Sequence, residues 1–169
     1  MPMSEFRTVF GSLSDYTKGD VEIIDDDPRN YVFSNVFDVA EKSAPYEKVV
    51  VAKNMEYVIE ALRAEGTSAW YTAAHDEFAL VMDGLVEVDL VKLDDPAKAV
   101  APTKAGSVKL PGEPAGKKMG LMKLRRGHQA LLPKGAAYRF RAPKDVGVIM
   151  LQTMLGDESV VKWAEICYS

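Results

Sequence analysis

The chain has one cysteine, two histidines and no excess of positive charge, and each shortage removes a class of function. Cys167 has no partner cysteine, so no internal disulfide forms, and a reducing, cytoplasmic setting is expected. A zinc site of the multi-cysteine kind cannot be assembled. The net charge of −4 disfavours nucleic acid and anionic membrane surfaces, both of which attract basic faces. The small basic cluster of Lys123, Arg125 and Arg126 is balanced by acids elsewhere and reads as a solvated face. No run approaches the ~18 apolar residues of a membrane span. Residues Met1 to Arg7 lack the positive segment and apolar core of a secretory signal. There is no Gly-x-Ser-x-Gly elbow and no phosphate-cradling glycine loop.

What is present is a chain of 169 residues, 47% apolar and 27% charged, the size and make-up of one globular domain. Residues 1–30 are polar and turn-rich and end in Asp25-Asp26-Asp27-Pro28, which predicts an N-terminal arm laid over the domain or a partner. Residues 31–169 then read as a single domain. Short β-branched and aromatic runs predict strands at Tyr31 to Phe37, Tyr46 to Ala52, Phe78 to Met82 and Leu85 to Leu93. Others follow at Met122 to Arg125, Ala130 to Leu132, Tyr138 to Phe140 and Val146 to Leu155. Glu56 to Ala64 suits either helix or strand. Asp83-Gly84 predicts a tight hairpin. Prolines and glycines crowd residues 94–118, which predicts an inserted loop. Val160, Val161, Trp163, Ala164 and Ile166 form one stripe, which predicts a short C-terminal helix over Glu158 to Ile166. The class expected is all-β, a sandwich or barrel.

Two segments carry a recognisable framework. In His75-Asp76-Glu77-Phe78-Ala79-Leu80-Val81-Met82-Asp83-Gly84, a glutamate precedes a glycine by seven positions. In the second, Gly127 is followed by Pro133, Gly135 and then Tyr138. Together these resemble the paired motifs of the cupin superfamily, which implies a single jelly-roll barrel. Such a barrel resembles a site of three imidazoles and one carboxylate, suited to Fe(II) or Mn(II). Here the first two imidazole positions fall on Trp70 and Thr72, or on Tyr71 and Ala73, and the last on Tyr138. Indole has no lone pair to offer, alanine has no donor, and a phenol with pKa near ~10 must ionise to bind. Only Glu77 survives, and the metal site is expected to be lost. Two alternatives stay open: a triad of His75, Glu77 and His128 rebuilding a metal site, or a small-molecule-binding barrel with no reaction of its own. Glu77 without ligand partners is expected to pair with an arginine, Arg125 or Arg139. Trp70, Tyr71, Tyr138 and His75 are the candidates for substrate-pocket or partner contact, with core packing the competing reading for the rings.

Over Asp27 to Phe37, Ala61 to Trp70, Arg126 to Pro133 and Val161 to Cys167, the chain resembles the small subunit of bacterial hydroquinone 1,2-dioxygenases. That resemblance implies a heteromeric, Fe(II)-dependent enzyme that opens hydroquinones to hydroxymuconic semialdehydes in 4-nitrophenol breakdown. It implies a larger cupin-fold subunit holding the iron, self-association in a heterotetramer, and a small aromatic substrate. It places no catalytic residue and no metal on this chain. Met119 and Met122 are compatible with the apolar interface such an assembly needs.

Overall fold

A computed structural model describes residues 11–17, 22–27 and 34–163. Its organising element is the strand β9, Ala136–Met154, the longest in the chain. One flank of β9 pairs with β2 (Tyr57–Thr67) and then with β3 (Tyr71–Ala73). The other flank pairs with β4 (Glu77–Asp83) and then with β5 (Val86–Leu93). Outside these lie β1 (Lys48–Asn54) on β2, β6 (Ser107–Lys109) on β3, β7 (Gly116–Leu124) on β5, and β8 (Gln129–Leu132) on β4. The pair β10, Ser159–Val160, adds in parallel to β1. Every other pairing between these strands is antiparallel. The result is the expected all-β jelly-roll barrel of the cupin kind, long ribbons folded over at their middles.

Asp83-Gly84 is not a hairpin. β4 and β5 do not pair with each other; both run along β9, with Phe78 opposite Gln152 and Lys92 opposite Ala136. The dipeptide is instead the barrel corner at which one long ribbon bends. Gly84 has φ +78°, and a Cβ there would meet the Gly147 Cα at 2.8 Å, so both conformation and space demand glycine. The turn Pro133–Gly135 likewise joins strands that do not pair. The Ala136 N–H closes it on the Pro133 carbonyl at 3.1 Å, and the Gly135 carbonyl accepts from the Leu93 N–H.

Two other expectations are corrected, one open reading is resolved and one boundary moves. Asn35 to Phe37 are not strand: Asn35 caps helix α1, Val36–Lys42, its side chain accepting from the Phe37 N–H at 2.9 Å. Phe37, Val39 and Ala40 bury the helix against the outer face of the sheet at Val49, Ala61 and Val148. Tyr31 to Phe33 lie outside the described residues. Of Glu56 to Ala64, all but the turn residue Glu56 resolve as strand within β2, because Val58, Glu60 and Leu62 alternate inward. The segment 94–118 carries helix α2 (Pro96–Ala99), strand β6 and the start of β7. Its prolines sit at turns and at the first turn of α2, leaving the intervening residues free to pair. Ser159 and Val160 are paired with Lys48 and Val49, so the C-terminal helix does not begin at Glu158; Trp163 is helical, and residues 164–169 lie outside the described residues. Among residues 11–17, Leu13 N–H donates to Asp83 at 2.7 Å, and Tyr16 stacks on Phe37 and donates to Glu41.

Candidate functional site

The barrel interior is mostly aliphatic and aromatic, yet a charged cluster is sealed inside it. Lys48, the first residue of β1, is 2% exposed, and Glu60 on β2 and Glu77 on β4 are 1% and 0% exposed. Strand alternation puts them there: Lys48 shares its face with Val50, and Glu60 with Val58 and Leu62. The Lys48 ammonium donates to Ser107 Oγ at 2.5 Å and to Tyr138 Oη at 3.2 Å. It also stands 4.1 Å from the centroid of the Tyr71 ring. Tyr138 passes the polarity on, donating its own proton to Glu77 Oε1 at 2.9 Å. Thr153 donates to the second oxygen, Glu77 Oε2, at 2.6 Å. On the far side, Ser159 donates to Glu60 Oε1 at 2.6 Å, while Glu60 Oε2 has no hydrogen-bond partner among the described residues.

Burial dominates the electrostatics. It pushes the Glu60 carboxyl up to about 7, opposed by the Lys48 charge and the Ser159 hydrogen bond. It pulls Lys48 below the usual lysine range, against the nearby negative charges of Glu77, Glu60 and Glu158. The Tyr138 phenol is held well above its ordinary value by burial and by Glu77 beside it, so it stays protonated.

The sequence candidates are thereby sorted. Glu77, Tyr71 and Tyr138 meet in one place; Tyr71 and Tyr138 are cross-strand partners with rings 5.9 Å apart. The inward pair at the first motif is thus Tyr71 and Ala73, both buried. Thr72 instead donates to the Ala136 carbonyl. Trp70 lies in a separate buried group with Leu93 and Ala137, under the Arg139 guanidinium at 4.6 Å. Its indole N–H has no hydrogen-bond partner among the described residues. The expected arginine partner of Glu77 is corrected: Arg139 binds Asp89 at 2.9 Å, and Glu77 accepts from the Tyr138 and Thr153 hydroxyls, with the Lys48 charge nearby. The alternative triad is not assembled. His75 Nε2 accepts from the Gly106 N–H at 3.0 Å, and His128 Nδ1 accepts from the Arg125 N–H at 2.9 Å, so each imidazole braces a turn. Among the described residues no group of three or more His, Cys, Asp or Glu is placed to hold a metal ion.

Ser107 and Ser159 are not singled out by the sequence, nor are Lys48, Glu60 and Thr153. A signal existed for the last three, since each keeps the inward phase of a strand otherwise filled by aliphatic and aromatic residues. The cluster does not fit the ferrous ion that this fold implies. Its one ligand-position carboxylate is engaged by two hydroxyls, its phenol keeps its proton, and an ammonium already supplies positive charge.

No protein-family profile and no curated protein matches the chain. Two solved structures match it almost end to end. One is hydroquinone 1,2-dioxygenase from Sphingomonas sp. TTNP3 with 4-hydroxybenzoate bound: 57% identity, TM-score 0.92, 98% of this chain and 99% of that one. The other is hydroquinone 1,2-dioxygenase PnpCD with Cd2+ and 4-hydroxybenzonitrile: 54% identity, TM-score 0.90, with the same coverage.

This chain belongs to the hydroquinone 1,2-dioxygenase family.

Within that family the same fold recurs in a second setting. A structure of the dioxygenase PnpCD with Fe3+ contains a chain that matches at 10% identity and TM-score 0.60, over 89% of this chain but only 41% of that one. At that identity the likeness shows the fold alone. A hydroquinone dioxygenase therefore includes one chain matched throughout and a longer chain sharing the barrel.

Proposed function

We propose that this chain is the small, non-metal-binding subunit of a heteromeric Fe(II)-dependent hydroquinone 1,2-dioxygenase. A larger cupin-fold subunit holds the iron, and this chain also associates with itself in a heterotetramer in the cytoplasm. The assembly adds both atoms of O2 to hydroquinone and opens the ring to 4-hydroxymuconic semialdehyde. The observation that carries the reading is the barrel centre, where Lys48, Tyr138 and Thr153 surround Glu77 in place of imidazoles. The longer chain of PnpCD that shares this fold supports it. The chain's part is to support and shape its partner's site. Tyr71 and Tyr138 serve the interior, which leaves Trp70 and His75 as the candidates for partner or substrate contact. Phe78 and Leu131, opposed across β4 and β8 and each nearly half exposed, add apolar outer surface suited to a partner. Met119 on β7 is likewise half exposed.

The test is expression of the chain with and without its larger subunit, followed by hydroquinone, Fe(II) and oxygen. Ring cleavage is expected only when both chains are present. Cleavage by this chain alone would refute the assignment.

A further inference from the structure

An ammonium has three donors and no acceptor, and the surroundings of Lys48 answer that need. Ser107 and Tyr138 take hydrogen bonds at 2.5 and 3.2 Å, and the Tyr71 ring presents its negative face at 4.1 Å. Glu77 and Glu60 supply compensating charge from two other strands. Six strands, β1, β2, β3, β4, β6 and β9, thus converge on one buried positive charge. We infer that the centre of this barrel is a cation site whose occupant is the chain's own Lys48 ammonium, and that removing this side chain opens a site for a divalent ion on Glu77 and Glu60. The inference deepens the reading that the chain leaves iron to a partner. It also goes further: the lost imidazoles explain why a ferrous ion is poorly held, whereas Lys48 excludes any cation by occupying the place and repelling the charge. Truncation at Cβ leaves two carboxylates and the Ser107 hydroxyl around the vacated volume, an all-oxygen donor set suited to a hard ion such as Mn2+.

The experiment uses the full chain as wild type, K48A, K48M and K48M/E77Q. Each is equilibrated with Mn2+, freed of excess metal, assayed for bound manganese and unfolded in urea with and without Mn2+. Wild type is expected to retain none and to unfold alike in both conditions. K48A should retain one Mn2+ per chain and unfold later in its presence. K48M, which leaves Glu77 facing no positive charge, should lower the folded-to-unfolded ratio by about a hundredfold. K48M/E77Q should recover most of that loss. If K48A folds only with Mn2+ present, the inference stands. It falls if K48A neither binds nor responds to Mn2+ while K48M/E77Q is native, or if K48M is as stable as wild type. Stoichiometric Mn2+ on wild type would defeat both this inference and the proposed function, whereas metal-free wild type with an inert K48A defeats the inference alone.

Discussion

Inside the barrel, Leu62, Val86, Val88, Phe140 and Ile149 pack with no exposed surface, and nothing but shape and apolar contact holds them. A few ångströms away Lys48, Glu60, Glu77 and Thr153 are almost as deeply buried, and each but Glu60 Oε2 depends on a directed bond. The aromatic rings are the seam between the two. Tyr138 stands 5.3 Å from Phe140 on the apolar side and gives its hydroxyl to Glu77 on the polar side. The contrast separates two reasons for conserving volume in a core. The apolar part tolerates a swap of similar size; the polar part tolerates only a swap that keeps donors and charges matched.

Three measurements sharpen or break this contrast. The largest effect is expected from Phe140→Ala, which removes a fully buried ring packed between Tyr46 and Tyr138. Urea unfolding should show a loss of about 3–5 kcal/mol, and a loss under about 1 kcal/mol would mean that the apolar part is not close-packed. Thr153→Val keeps the shape and deletes only the donor to Glu77 Oε2. A cost of about 1–3 kcal/mol is expected, the range for a hydrogen bond to a buried charge. A neutral outcome would place Thr153 with the tolerant, apolar class.

The third and smallest is a slope against pH. Glu60 titrates at about 7 in the folded chain, raised from the ordinary carboxylate value of 4.5 mainly by burial. The folded state therefore holds this proton more tightly than the unfolded state. Its contribution is fully present below about pH 4.5 and is lost as pH rises through about 7. Lys48, Glu77 and Glu158 face the same group and set the size of the effect. Wild-type stability should fall by on the order of 1–3 kcal/mol between about pH 5 and pH 8 from this group. Glu60→Gln should flatten that component; an unchanged slope in E60Q would assign it elsewhere.

Much of the fold was legible because strand alternation and turn residues are local. The stretches Tyr46 to Ala52, Phe78 to Met82, Leu85 to Leu93 and Ala130 to Leu132 all lie in or overlap strands. The helix α1 was missed because Val36 and Phe37 read equally well as the end of an apolar strand, and only the cap at Asn35 marks the change. Asp83-Gly84 reads as a hairpin in sequence because a barrel corner and a two-residue loop ask the same thing of glycine, a positive φ. Which strand lies beside β4 is a question of partners, and the dipeptide carries no answer to it. The site was half legible. Glu77, Tyr71 and Tyr138 came from motif spacing, whereas Lys48 looked like any solvated lysine at the start of a strand.

From its own order of residues the chain determined an all-β barrel, the glycine and proline positions at its bends, and the replacement of imidazoles by rings. These follow from short-range sterics and from the period of two along a strand. Only the tertiary structure decided that β9 would sit between both halves, and that Lys48 from β1, Ser107 from β6 and Glu77 from β4 would meet. Residues 59 positions apart become hydrogen-bond partners only through the closure of the sheet, and no local pattern encodes that distance.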